Sequence, residues 1–173
     1  MSSDDRRSEI INILNKLDKA ISGTDLAKKL GVSRQIIVQD IAILRASGEE
    51  IIATPQGYIV LKDVNERRLI KTIVCKHSTY EEIEDELKTI VDIGGKVLDV
   101  IIEHPIYGEI KSSLMISSRL DVDEFIKNLK ATNAEPLSSL TEGVHIHSIE
   151  VENEENFKKI EKVLEEKSYL IKD

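Results

Sequence analysis

Two histidines separated by a single residue, His145 and His147, are the side chains of this sequence whose spacing is best suited to binding a metal ion. In a β-strand, residues i and i+2 point to the same side, so the two imidazoles would lie next to each other. Neutral imidazole is a ligand for zinc, nickel, cobalt and iron. The alternative is two polar residues on a solvated strand face. Because Ile149 and Val151 share the parity of the histidines, we expect this face to be at least partly buried.

The other two of the four histidines, His77 and His104, lie in the same half of the sequence. His77 precedes a segment rich in acidic residues, so this region could supply a third imidazole and a carboxylate ligand. His104 follows a nearly continuous apolar run, and ligands often bind at the ends of buried strands. The alternative for His104 is a turn residue whose ring forms hydrogen bonds with the backbone.

The apolar pattern places all four histidines in a domain of strands and helices over residues 69–173. Strands are predicted at residues 69–75, 97–102, 110–116 and 143–151, and helices at residues 80–91, 122–129 and 157–164. A loop around Pro136 precedes the last strand. The order β-α-β-β-α-β-α predicts a sheet covered by helices, which is a fold of the α+β class.

Residues 1–61 predict a winged helix-turn-helix domain. The apolar spacing indicates helices at residues 7–17, 25–30 and from Ser33 onwards, followed by two short strands at residues 50–53 and 58–61. Gly31 ends the second helix because glycine adopts the left-handed conformation at little cost, and Ser33 caps the third helix. In a helix-turn-helix, the second helix of the motif lies in the major groove of DNA.

Five polar residues of this domain are candidates for DNA contacts: Lys28, Ser33, Arg34, Gln35 and Gln39. Arginine suits a bidentate contact with guanine, and glutamine suits one with adenine. Lys28 and the backbone amides at the start of the third helix could bind phosphate groups. The alternatives are a three-helix packing domain and a winged helix that binds a protein, but the turn, the cap and the hairpin together favour DNA.

The charge of the chain is unevenly distributed. The net charge is −8, yet residues 1–61 contain eight basic and eight acidic residues, while residues 62–173 contain sixteen basic and twenty-four acidic residues. The excess of acidic residues therefore belongs to the second domain, and it does not exclude DNA binding by the first. Between the two domains, residues 62–68 include five charged residues and are the predicted linker.

The sequence has the features of a cytoplasmic protein. No apolar run reaches the roughly 18 to 20 residues that a membrane-spanning helix needs. The first ten residues lack the apolar segment of a secretory signal. Cys75 is the single cysteine, so an intrachain disulfide is impossible. We therefore expect the protein to work in the cytoplasm.

Several motifs of the second domain together resemble the three-histidine (3H) domain. They are Lys76-His77, Glu86-Leu87, Gly94-Gly95, residues 99–108 and residues 140–147, and the resemblance covers residues 69–173. Residues 24–57 resemble the winged-helix domains of many bacterial regulators. A winged helix followed by a 3H domain resembles the nicotinate-responsive repressors of NAD biosynthesis and niacin uptake genes in Gram-positive bacteria and their relatives.

This resemblance implies a function, a metal site and a set of ligands. The expected protein is a transcriptional repressor and not an enzyme, a homodimer that binds operator DNA more tightly with nicotinic acid as co-repressor. A divalent transition metal, nickel or zinc, would be held by His77, His145 and His147 and by one acidic residue. The acidic ligand falls at Glu86, or at Asp85 if the loop after His77 differs in length by one residue.

Two further predictions concern the surroundings of the metal. Gly143 lets the chain approach closely before His145, and its replacement would misaim the imidazoles that follow it. His104 and Tyr107 are the predicted residues of the effector pocket.

Two other functions are compatible with the residues alone. Three histidines and a carboxylate could activate water for hydrolysis, but no separate general base, nucleophile motif or phosphate-binding loop accompanies them. In a metal-responsive regulator, the cation itself would be the signal and nicotinate would play no part.

Overall fold

The computed structural model describes residues 2–61 and 68–172. These residues form two compact units, one on each side of the gap. The predicted linker at residues 62–68 lies outside the described residues, except for Arg68. Helices and strands occur in both units, so the predicted α+β class is confirmed.

The first unit has three helices followed by a β-hairpin. The helices are α1 (Ser3–Lys16), α2 (Gly23–Leu30) and α3 (Arg34–Ala46), and the strands are β1 (Ile51–Thr54) and β2 (Gly57–Val60). Each helix is preceded by a serine N-cap, namely Ser2, Ser22 and Ser33, and each hydroxyl accepts a hydrogen bond from a backbone N–H of its helix. Gly31 ends α2 in the left-handed conformation, with φ at 65°. The predicted helix-turn-helix with its wing is therefore confirmed.

The core of the first unit joins all three helices. It is built from aliphatic side chains, including Ile10, Leu14, Leu26, Ile37 and Ile41. Asp40 of α3 is also buried, and its carboxylate accepts hydrogen bonds from Arg6 Nε at 2.6 Å and Arg6 Nη2 at 3.2 Å. A buried carboxylate is tolerated when it is paired in this way, so the ion pair fixes α1 against α3.

The second unit alternates strands and helices. Its elements are β3 (Leu69–Lys76), α4 (Tyr80–Asp92), β4 (Lys96–His104), β5 (Gly108–Ile116), α5 (Arg119–Thr132), β6 (Val144–Val151) and α6 (Glu154–Glu166). This is the order that the apolar pattern predicts. The segment predicted as a loop around Pro136 differs, because it contains a short 3₁₀ helix at Leu137–Thr141. Among the described residues, no helix combines the length and apolar character needed to cross a membrane.

The four long strands form one antiparallel sheet in the order β3-β6-β4-β5. The last strand of the sequence, β6, therefore lies between two strands that precede it. Its residues alternate between half-buried and buried positions, and the buried set is His145, His147, Ile149 and Val151. Strand β4 shifts its register against both neighbours near Asp99, which is a local irregularity of the β-bulge kind.

Residues near the C-terminus extend this sheet along the free side of β3. The backbone N–H of Lys76 donates to the carbonyl of Tyr169 at 2.9 Å, and the N–H of Ile171 donates to the carbonyl of Val74, also at 2.9 Å. These bonds satisfy backbone groups that an edge strand would otherwise leave unpaired. The end of the chain is thereby attached directly to the strand that leads into His77.

Candidate metal centre

The three predicted histidine ligands lie on one buried surface of the sheet. His145 and His147 are each 3% exposed, and they lie on β6 opposite Cys75 and Ile73 of β3. His77 follows β3 by one residue and continues the side of the strand on which Cys75 lies, because residues i and i+2 share a side. Strand pairing therefore brings together histidines that are almost seventy residues apart in sequence.

The predicted carboxylate comes from helix α4, which is capped by Thr79 and contributes the fully buried Glu86. One oxygen of Glu86, Oε2, lies 2.6 Å from His77 Nε2, 3.2 Å from His145 Nε2 and 3.4 Å from His147 Nε2. The ligand atoms of His77, Glu86 and His145 all lie within 4.8 Å of one another. Three imidazoles thus converge on a single carboxylate.

The alternative acidic residue, Asp85, faces other partners. Its carboxylate accepts hydrogen bonds from Lys167 Nζ at 2.7 Å and from the Tyr169 hydroxyl at 3.0 Å. The hydrogen bond from Lys167 lowers the pKa of Asp85. Because successive helical residues are 100° apart, only one of the neighbouring carboxylates can face the sheet, and it is Glu86.

Backbone carbonyls fix the orientation of the two imidazoles on β6. His145 Nδ1 lies 2.8 Å from the carbonyl of Gly143, and His147 Nδ1 lies 2.6 Å from the carbonyl of Asp99. A carbonyl only accepts, so each Nδ1 carries the hydrogen, and in the neutral ring Nε2 then keeps its lone pair. Metal-binding histidines are commonly oriented by a hydrogen bond of this kind from the other ring nitrogen.

This arrangement of lone pairs fits a cation. The Nε2 atoms of His145 and His147 and the carboxylate of Glu86 are all acceptors when the rings are neutral, so without a positive charge they would repel one another. Three nitrogens and one carboxylate oxygen are a donor set that zinc and nickel accept. His77 adds a buried Nδ1 without a hydrogen-bond partner among the described residues, so its orientation depends on packing.

The electrostatics of the site favour an ionised carboxylate. Burial alone would raise the pKa of Glu86, but the positive charge of His147 in its protonated form and hydrogen bonds with the three imidazoles lower the pKa well below its usual range. Burial alone would lower the pKa of His147, whereas Glu86 and the carbonyl of Asp99 raise it. Burial and the nearby Glu86 raise the pKa of the Cys75 thiol, which therefore stays protonated.

Gly143 holds the two strands of the site close together. Its φ is +88°, a conformation that side chains disfavour, and an added Cβ would overlap the backbone carbonyl of His77. The carbonyl of Gly143 also accepts the hydrogen bond from His145 Nδ1. One residue thus sets both the approach of His77 and the orientation of His145.

The structure places the predicted effector-pocket residues elsewhere. His104 and Tyr107 lie at the turn between β4 and β5, where His104 Nδ1 accepts hydrogen bonds from the backbone N–H groups of Ile106 and Tyr107, each at 3.2 Å. Tyr107 is 77% exposed, and its ring lies over that of His104. These are the contacts of a turn histidine, which was the alternative interpretation of His104. No contact in the described part of the chain joins either residue to the four predicted ligands.

The predicted DNA contacts lie on the outside of the helix-turn-helix. Lys28 is exposed in the last turn of α2, and Arg34, Gln35 and Gln39 are exposed on α3. The Ser33 hydroxyl caps α3 by accepting from the N–H of Ile36 at 3.3 Å. The side chain of Arg34 lies back along the start of α2, beside Gly23.

Sequence reasoning missed three residues around the candidate metal centre: Cys75, Asp99 and Tyr169. Cys75 could have been predicted from the alternation of strand residues, because it lies on β3 two residues before His77, which directly follows the strand. The other two depend on the register of β4 and on the path of the chain after α6, and the apolar pattern carries no signal for either.

Comparisons with known proteins cover both units. Residues 6–59 match the HTH domain, and residues 70–173 match the 3H domain. The chain is 41% identical over 169 residues to the probable transcription repressor NiaR of Thermotoga maritima, an alignment that covers 98% of this chain and 95% of the relative. It is 41% identical over 170 residues to the transcription repressor NadR of Bacillus subtilis, covering 97% and 94%. An uncharacterized protein of Methanothermus fervidus is 29% identical over 174 residues, covering 91% of this chain and 27% of that protein.

Proposed function

The chain belongs to the 3H-domain family of helix-turn-helix transcription repressors, which are not enzymes, and from this premise we propose that it represses genes of NAD biosynthesis and niacin uptake with nicotinic acid as co-repressor. In this proposal a divalent transition metal, nickel or zinc, is a resident part of the sensor. The repressor acts in the cytoplasm as a homodimer on operator DNA.

The convergence of three histidine Nε2 atoms on Glu86 is the observation that carries the metal-dependent sensor. His77, Glu86, His145 and His147 would hold the metal, and the metal would supply coordination positions for an effector. Nicotinic acid has a pyridine nitrogen and a carboxylate, both of which are ligand types that zinc and nickel accept. The resemblance of this domain arrangement to nicotinate-responsive repressors favours a pyridine carboxylate over the metal alone as the signal.

The residues of the chain orient the imidazoles, bury the carboxylate of Glu86 and connect the site to helix α4. The carbonyls of Gly143 and Asp99 hold two imidazoles with Nε2 inward, and burial of Glu86 excludes water from the carboxylate. Because Glu86 belongs to α4 while His145 and His147 belong to β6, occupation of the site would act on the packing of α4 against β6. We infer that this packing is the element that responds to the effector.

Ligand binding and operator binding are then linked. Nicotinic acid favours a dimer whose two α3 helices lie one DNA turn apart, roughly 34 Å. By linkage, the effector and the operator strengthen each other by the same factor, typically worth about 1 to 3 kcal/mol.

Calorimetry and operator binding test this proposal together. Nicotinic acid is titrated into metal-loaded protein, chelated protein, the His145→Ala/His147→Ala variant and, as a matched control, His104→Ala. We expect heat of binding only for the metal-loaded wild type and His104→Ala. Equal operator affinity with and without nicotinic acid in the metal-loaded protein would contradict the proposal. A response to metal alone would instead identify a metal-responsive regulator.

A further inference from the structure

Val38 is an apolar side chain on the outer side of α3, and 38% of its surface is exposed. It follows Arg34 and Gln35 by one helical turn and precedes Ala42 by one turn, so these four residues are neighbours on the helix surface. The inner side of α3 is formed by other aliphatic residues, namely Ile37, Ile41 and Leu44. Val38 is therefore outside the core and beside the candidate base-contacting residues.

The chemistry of the major groove offers a partner for such a side chain. The 5-methyl group of thymine is the apolar group that a base pair displays there, and aliphatic side chains contact it. A valine has one strongly preferred side-chain rotamer in a helix, so it presents its methyl groups in a fixed direction. The polar groups of Gln35 and Gln39 on the same surface suit adenine, the partner of thymine in the base pair.

We propose that Val38 is a specificity-determining residue that contacts a thymine methyl group in each half-site of the operator. This inference rests on the proposed binding of a homodimer to operator DNA through the helix-turn-helix, and it does not require nicotinic acid. The contact adds an apolar component beside the polar side chains of Arg34, Gln35 and Gln39. It selects A·T pairs at one position of the half-site that amide hydrogen bonds alone would not determine.

The chain offers a matched control on the same helix. Ile43 is also an exposed aliphatic residue of α3, with 42% of its surface exposed. It follows Val38 by five residues, which rotates it by about 140° around the helix axis and moves it away from the N-terminal turns. Ile43→Ala therefore removes a similar side chain from a surface that the proposal does not assign to DNA.

The test begins with DNA duplexes selected from a random pool by the full-length protein, with and without nickel and nicotinic acid. In the selected duplex, each thymine is replaced in turn by deoxyuridine, which removes the methyl group and preserves base pairing. For the wild type and Ile43→Ala, we expect one replacement per half-site to weaken binding about fourfold, as for the lost burial of one methyl group. For Val38→Ala, the same replacement has no effect.

Two results would overturn the proposal. One is wild-type affinity that is insensitive to every replacement, and the other is sensitivity that persists in Val38→Ala. A pool that enriches no sequence contradicts base recognition by α3 and the proposal with it. The effect of nicotinic acid on selection is a separate readout, so failure of the co-repressor proposal is distinguishable from failure of the methyl contact.

Discussion

The ring of Tyr169 packs edge-to-face against the imidazole of His77, with the ring centroids 5.2 Å apart and the planes inclined by 70°. The Tyr169 hydroxyl donates a hydrogen bond to the carboxylate of Asp85 at 3.0 Å, and the backbone carbonyl of Tyr169 accepts one from the N–H of Lys76. Burial and the neighbouring Asp85 raise the pKa of Tyr169 to about 12, so the hydroxyl stays a donor at neutral pH. The end of the chain thus supports the histidine whose Nδ1 has no hydrogen-bond partner among the described residues.

Replacement of Tyr169 by alanine is expected to weaken metal binding. Groups that orient a metal ligand typically contribute about 10- to 100-fold to affinity, and the ring is what packs against His77. Tyr169→Phe keeps the ring and loses only the hydrogen bond to Asp85, so it is the matched control and should bind nearly as the wild type. Competition between protein and a chelator for nickel measures both. Wild-type affinity in Tyr169→Ala would show that the ring does not position His77.

Gly143→Ala is expected to destabilise the second unit and to reduce metal affinity. The substitution places a Cβ against the carbonyl of His77 and strains a residue at φ +88°. The conformational strain alone is worth about 1 to 3 kcal/mol. Gly108→Ala is the control, because Gly108 has φ +72° and open space around the added Cβ.

Urea unfolding of the two variants distinguishes two costs. Both substitutions strain a backbone with positive φ, but only Gly143→Ala adds a steric overlap with the carbonyl of His77. We expect Gly143→Ala to lose more stability than Gly108→Ala and to lose metal binding as well, while Gly108→Ala keeps it. Equal losses in the two variants would mean that the close approach of Gly143 to His77 is unimportant.

The stability of the metal-free protein should depend on pH through Glu86 and His147. The folded-state pKa of Glu86 is lowered, so its contribution is present above about pH 4.5 and is lost as the pH falls further. The folded-state pKa of His147 is raised, so its contribution is present below about pH 6.5 and is lost as the pH rises through the raised value. The groups that face Glu86 are the three imidazoles and the Cys75 thiol.

Thermal unfolding of the chelated protein between pH 5 and 8 checks this prediction. We expect stability to fall above about pH 6.5, and Glu86→Gln to flatten the profile because the charge that raises the pKa of His147 is gone. Metal affinity should change in the opposite direction, since protons compete with the metal for the imidazoles. A flat profile in the chelated wild type would refute the assigned charges.

Lys28→Ala and Gln35→Ala should weaken operator binding in different ways. A lysine that neutralises a phosphate contributes to the affinity for every DNA sequence. Its loss should therefore reduce the slope of the logarithm of the binding constant against the logarithm of the salt concentration by about one. Gln35→Ala should instead relax the preference at one base pair. Lys127→Ala, an exposed lysine of the second unit, is the control and should change neither quantity. A Lys28→Ala variant with unchanged salt dependence would exclude a phosphate contact.

The apolar pattern was sufficient to predict the order of the elements, because it records which side of each helix or strand is buried. The shared parity of His145 and Ile149 likewise predicted a buried strand face, as observed. The start of α1 was less predictable: it lies at Ser3 and not near residue 7, because a capping box between Ser2 and Asp5 extends the helix beyond its apolar stripe.

The surroundings of the candidate site could not be derived from periodicity. The carbonyl of Asp99 reaches His147 because β4 shifts its register nearby, and a register shift leaves no mark in the apolar pattern. His104 was predicted to line the effector pocket because ligands often bind at the ends of buried strands. In the structure, hydrogen bonds within the turn determine its contacts instead. The backbone N–H groups of the turn satisfy its Nδ1, so the turn determines its position.

The central position of β6 has a consequence for biosynthesis. Because β6 inserts between β3 and β4, a ribosome must release almost the whole second unit before two of the four predicted ligands and the middle of the sheet exist. The helix-turn-helix, complete by residue 60, can fold on the nascent chain while the second unit is still unfinished. During synthesis, the helix-turn-helix is therefore complete before His145 and His147 have been made, so the DNA-binding fold precedes the candidate metal centre.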